Sequence, residues 1–130
     1  MKRLHEQVQL FLQKAAEDEV LLNKIIDDYD ISDNVFGFHA QQAIEKLLKA
    51  LLSTKDMRHK KTHNLRELMD MLADSGSPVP ESLEALDFLT PYGALGRYEN
   101  LPFNAPFDRA TMRKMVRDVR GWVEKKIAAD

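Results

Sequence analysis

The stretch FGFHAQQAIEKLLKALL, Phe36 to Leu52, decides how this chain folds. Phe36, Ala40, Ile44, Leu47 and Leu51 recur at steps of three and four, which lays one continuous apolar stripe along an α-helix. Asp33 or Asn34 is the expected cap. His39, Gln42, Lys46 and Lys49 follow the same period on a line roughly a quarter turn from the centre of the stripe. That line reads in two ways: as one wall of a groove for phosphate or a partner, or as a solvated or dimer-facing edge. Periodicity alone favours the edge. Ala43 and Ala50, between the line and the stripe, leave room for another helix to approach closely.

Working outward, the same period recurs on both sides, and no segment of useful length alternates with period two. Leu4, Val8, Phe11, Leu12, Ala15, Leu22, Ile26 and Tyr29 predict a first helix over roughly residues 3 to 29. It is ended by Asp30-Ile31-Ser32-Asp33-Asn34, a run of turn and cap formers. After a basic connection from Ser53 to Thr62, Asn64-x-x-Glu67 resembles a capping box for a short helix bearing Leu65, Leu68, Met69 and Leu72. Ser75-Gly76-Ser77-Pro78-Val79-Pro80 stops that helix. Pro80 suits the first turn of another, with Leu83, Leu86 and Leu89 on its apolar face and a kink expected at Pro91. Tyr92 to Tyr98 reads as a distorted continuation, and Asn100 to Pro106 as a loop. The last helix carries Met112, Met115, Val116, Val119, Trp122 and Val123, with Asp108 as its cap. The expected architecture is all-α: an up-and-down four-helix bundle with an additional short helix, in one domain spanning residues 1 to 130.

Composition narrows the chemistry. The 130 residues are 44% hydrophobic and 31% charged, with a formal net charge of -2, so the surface is mixed in sign and any contact with nucleic acid must come from a local patch. Cysteine is absent, which excludes disulfides, thiolate catalysis and thiolate-bound metal within this sequence. His5, Glu6 and Gln7 interrupt the apolar run that a signal peptide would need, and no window approaches the ~18 apolar residues of a membrane span. A soluble protein of the cytoplasm is expected, without membrane contact. There is no Gly-rich phosphate loop, no serine nucleophile elbow and no His-Glu-x-x-His helix. His59 and His63 form a His-x3-His pair, but Lys60 and Lys61 between them disfavour a metal, so neither metal nor cofactor is expected.

Three pieces in order, FHAQQAIEKLLKALL (Phe38 to Leu52), THNLRELMDML (Thr62 to Leu72) and LTPYGALGRYEN (Leu89 to Asn100), resemble the HEPN domain family. AAEDEVLLNKII in the first helix and ATMRKMVRDVRGWVEKKI in the last extend the similarity over nearly the whole chain. The His-Ala-Gln-Gln opening of the second helix is the most specific element, and Arg97-Tyr98 adds to it. The resemblance implies a bundle of four to five helices, frequently a homodimer, often encoded beside a minimal nucleotidyltransferase as a toxin-antitoxin-like pair. Many members of the family are metal-independent ribonucleases built on an Arg-x4-6-His motif. Others lack that motif and act as nucleotide-binding or non-catalytic partners.

Two functions follow as expectations. In the first, the protein is a dimeric partner of a minimal nucleotidyltransferase and binds nucleotide or RNA through His39, Lys46, Arg97, Tyr98, Arg113 and Arg117. In the second it is a metal-independent endoribonuclease. Arg58-x4-His63 matches the motif literally, with histidine to move the proton and arginine to stabilise charge building on phosphate. The match falls in a link before a short helix rather than at the head of a long one, and His63 is equally read as the residue that opens the third helix. No histidine follows Arg97, so Arg97-Tyr98 also reads as structural, with Arg97 pairing a buried Asp18. Arg109, Arg113, Arg117 and Arg120, spaced 4, 4 and 3, read as an outward ridge for phosphate, or as a ridge that meets the acidic Glu17-Asp18-Glu19 segment of a neighbouring subunit.

Overall fold

The computed structural model describes residues 2 to 55, 62 to 86 and 108 to 129. All regular structure among them is helical: α1 (Lys2–Ile25), α2 (Asp33–Thr54), α3 (Leu65–Asp74) and α4 (Arg109–Ala129), with a short 3₁₀ turn at residues 81 to 86. The fold is all-α, as the periodicity predicts. No described helix is long and apolar enough to cross a membrane.

The stripe of α2 is the centre of the molecule. Phe36, Ala40, Ile44, Leu47 and Leu51 are completely buried, and so are Ala43, Leu48, Ala50 and Leu52. With so much of its circumference apolar, α2 must be covered on several sides, and it packs against α1, α3 and α4. α1 brings Ala15, Leu22 and Ile25 to this core, α3 brings Leu65, Leu68, Met69 and Leu72, and α4 brings Met112, Val116, Val119 and Val123. Met115 and Trp122 of α4 pack at its margin, only partly buried.

Local chemistry sets the helix ends. Ser32, rather than Asp33 or Asn34, caps α2, its hydroxyl accepting from the amide of Val35. Asp33 instead occupies the first turn, where its charge suits the helix dipole. Asn64 caps α3 by accepting from the amides of Arg66 and Glu67. Gly76, at φ +94°, closes that helix: its own amide bonds Ala73 and the Ser77 amide bonds Leu72 at 2.9 Å, the paired pattern of a glycine-terminated helix. Asp108 caps α4 through the amides of Ala110 and Thr111 and the hydroxyl of Thr111. The Thr111 hydroxyl, above all, holds the Asp108 carboxyl below its usual range.

Three boundaries differ from the sequence reading. α1 stops at Ile25, four residues early, because the Ile25 carbonyl is taken by the amide of Asp28 and by the guanidinium of Arg109, which replace the next helical turn. Tyr29, expected on the apolar face, is in consequence 77% exposed. α2 continues to Thr54. After Pro80 the described residues 81 to 86 form a 3₁₀ turn, which buries Leu83 and Leu86 and is tied to α3 by the Arg66 guanidinium on the Glu84 carboxylate and carbonyl. The remainder of the predicted fourth helix, with Leu89, the Pro91 kink, the distorted turn through Tyr98 and the Asn100 to Pro106 loop, lies outside the described residues.

Candidate functional site

The polar residues of α2 fall into two groups on opposite flanks, and each group closes on a carboxylate. On the α1 side, Asp18 is buried, as its place among Ala15, Leu22 and Ile26 suggests. Its partners come from α2. Lys46 donates to one carboxylate oxygen at 2.7 Å, and His39 Nδ1 lies 2.9 Å from the other. A carboxylate removed from water needs such partners, and among the described residues His39 and Lys46 supply them. Arg97 of the expected pairing, and Tyr98 beside it, lie outside the described residues.

On the α3 side the carboxylate is Glu45, a residue that sequence reasoning overlooks. Lys49 donates to its Oε2 at 3.0 Å and Gln41 to its Oε1 at 3.0 Å. His63 Nδ1 lies 3.0 and 3.1 Å from the two oxygens. Gln42 joins the group by donating to the Gln41 side-chain oxygen at 2.8 Å. The line of His39, Gln42, Lys46 and Lys49 is therefore divided: His39 and Lys46 serve α1, while Gln42 and Lys49 belong to the Glu45 network. Glu45 with Lys49 reads in sequence as an ordinary exposed i, i+4 pair. Only the arrival of the α3 entrance over Gln41 and Glu45 buries it.

Between α1 and α4 the contacts are made by guanidinium groups. These two helices approach each other far less than either approaches α2, and long side chains span the gap. Arg120 holds the buried Glu19 carboxylate through Nε, at 2.9 and 2.7 Å, and also reaches the Leu12 carbonyl and Glu124. The Glu19 carboxylate, as hydrogen-bond partner, keeps Arg120 charged by raising its pKa. Arg113 donates to Asn23 and is 6% exposed; burial first, then the neighbouring charge of Arg117, lowers its pKa. Arg109 is 5% exposed and donates to Asp33 and to the carbonyls of Ile25, Asp28 and Ile31.

The outward ridge of four arginines is accordingly corrected. Arg109 and Arg113 point into the bundle, Arg120 is committed to Glu19, and Arg117 alone of the four is exposed. The acidic segment does meet this helix, but Glu19 does so within one subunit. The reason is geometric. An arginine stem can lie along a helix and deliver its charged head to a neighbour, so the charged face of an isolated helix becomes an inter-helix seam in the bundle.

Of the two proposed catalytic groups, His63 is described and Arg58 lies outside the described residues. The His63 ring is 69% exposed although its Nδ1 is held by Glu45. No cluster of three or more metal-ligating side chains occurs among the described residues. An open cleft of about 450 Å³ at the head of α4 is lined by Asp27, Tyr29, Asp33, Asp108 and Arg109. Its three carboxylates oppose phosphate, since Arg109 has already spent its charge on Asp33 and the loop carbonyls.

Comparisons with known proteins agree with this architecture. The family model described as HEPN domain matches residues 8–126. Neither the curated proteins nor the solved structures provide a significant match. With the match running from within α1 to near the end of α4, the chain belongs to the HEPN domain family.

Proposed function

We propose that this chain is the HEPN component of a two-component, toxin-antitoxin-like pair, working as a homodimer that binds a minimal nucleotidyltransferase and carries nucleotide or RNA on a small basic surface. The observation that supports this reading best is the commitment of the basic side chains. Lys46, Arg109, Arg113 and Arg120 all reach groups inside the subunit, so α4 and α2 act as scaffold, and recognition of a partner falls to the surface around them. Exposed Lys114, Arg117 and Lys125 on α4 remain for phosphate. Co-expression with a nucleotidyltransferase encoded beside this chain tests the proposal. The two products should co-purify as a complex containing two copies of this chain by light scattering, and recovery of the untagged partner no better than from a control lysate would overturn it.

One observation favours a second reading, a metal-independent endoribonuclease: the His63 ring is 69% exposed, and its Nδ1 is held by Glu45. In that reaction the 2′-oxygen of RNA attacks phosphorus and gives its proton to histidine, the bond to the 5′-oxygen breaks, and that oxygen leaves with a proton from solvent. Arg58, five positions before His63 with four residues between, would balance the charge on the phosphate oxygens. Cleavage of RNA in chelator by the wild type, and its loss in His63→Ala, distinguishes this reading from the first.

A further inference from the structure

His63 immediately precedes the cap of α3, on a short link where an exposed ring would ordinarily turn freely. Here it is anchored at both its backbone and its ring. Gln41 donates to the His63 carbonyl at 3.2 Å and to Glu45 Oε1 at 3.0 Å, so one amide holds the residue and the carboxylate that faces it. Lys49 fixes the other carboxylate oxygen at 3.0 Å. The Glu45 side chain is 5% exposed, and such burial leaves it few alternative rotamers. Both of its oxygens stand within 3.1 Å of His63 Nδ1.

An ionised carboxylate can only accept a hydrogen bond, so the shared hydrogen sits on Nδ1 and the neutral ring keeps its lone pair on Nε2. We propose that Glu45, held by Gln41 and Lys49, is the positioning residue of a proton-transfer site whose reacting atom is Nε2 of His63 and whose substrate is an RNA phosphodiester. This rests on the ribonuclease reading above. Nε2, on the side of the ring away from Glu45, takes the proton of the attacking 2′-hydroxyl as the oxygen–phosphorus bond forms. Glu45 fixes the tautomer and the direction of the lone pair, and it stabilises the imidazolium that results.

The test is single-turnover cleavage of a short single-stranded RNA in chelator by wild type, Glu45→Gln and Glu45→Asp, each confirmed folded by circular dichroism. Removing the carboxylate should lower the maximal rate by about 10- to 100-fold with little change in KM, and Glu45→Asp should recover part of the loss. If the wild type cleaves and Glu45→Gln cleaves as fast, the positioning role is overturned and the ribonuclease reading stands. If the wild type does not cleave, both fall. A long-range nitrogen–proton NMR spectrum provides a readout free of activity, with the His63 signals assigned by their loss in His63→Gln. Wild type should show the Nδ1–H tautomer and Glu45→Gln a mixture; an Nε2–H tautomer in wild type would overturn the positioning role whatever the cleavage assay gives. Should Glu45→Gln fail to fold, Gln41→Ala, which leaves the carboxylate in place but frees it, is expected to lower the rate in the same direction.

Discussion

Arg109 is where residue chemistry most changes the meaning of the sequence. Its guanidinium reaches the carbonyls of Ile25 at 2.7 Å and Ile31 at 2.6 Å, lies near Asp28, and pairs with Asp33 at 2.9 Å. Its central carbon stands 4.8 Å from the centroid of Tyr29 and 5.4 Å from that of Phe36. The planar five-donor fork of arginine can satisfy acceptors in several directions, whereas a lysine ammonium is a single point that cannot span them. We therefore expect Arg109→Lys to destabilise the protein by roughly 2–4 kcal/mol, because buried carbonyls of the α1–α2 loop lose their donors. Urea unfolding monitored by circular dichroism measures this, and a loss below half a kcal/mol would remove Arg109 from the role of loop clamp. Nothing in the sequence marks the residue. Helical periodicity sorts side chains by polarity and assigns a charged one to solvent, while the partners of Arg109 are three backbone carbonyls and the Asp33 carboxylate, some eighty positions away.

At the scale of elements, the apolar stripes were legible because hydrophobic burial depends on pattern alone, and those of α2, α3 and α4 lie where the period of three and four puts them. Caps were legible too, within a residue, since Asn64 and Asp108 act on amides only two or three positions on. The Asp108 carboxylate is favoured in the folded state. Its stabilising contribution is thus present above the ordinary value of 3.8 and is lost as pH falls through the lowered folded value. Polar seams were not legible, because each needs a partner helix to be placed first. The α1–α4 seam offers a direct measurement. Arg120→Met leaves Glu19 buried without its cation and is expected to cost about 2–3 kcal/mol, somewhat under the usual figure for breaking a buried pair because Arg120 is still partly exposed. Adding Glu19→Leu should recover most of that loss, since a well-packed apolar pair often replaces a buried ion pair without penalty. A double mutant as unstable as the sum of the two single variants would mean that Arg120 and Glu19 act independently of each other.

For the whole molecule, charge distribution decides what can bind. A chain with net charge -2 has no general attraction for RNA, and the two carboxylate-centred networks of α2 together with the seam of α4 neutralise Lys46, Lys49 and Arg120 internally. The exposed basic residues of α4 are Lys114, Arg117 and Lys125, with Lys114 itself 3.1 Å from the Asp118 carboxylate. Such a surface contacts only two or three phosphates. Affinity for single-stranded RNA should accordingly be weak and salt-sensitive, with a slope of log affinity against log salt of about -1.4 to -2.1, since each neutralised phosphate contributes roughly -0.7. Arg117→Glu should flatten that slope by about one phosphate while leaving the melting temperature unchanged. Arg113→Glu should instead lower the melting temperature, because a buried guanidinium held by Asn23 is exchanged for a carboxylate facing the same acceptor. Fluorescence anisotropy over a salt series, paired with thermal melts of both variants, separates the two effects. If Arg113→Glu weakened RNA binding at an unchanged melting temperature, α4 would have to present Arg113 to the ligand, and the division between buried seam and outward surface would be wrong.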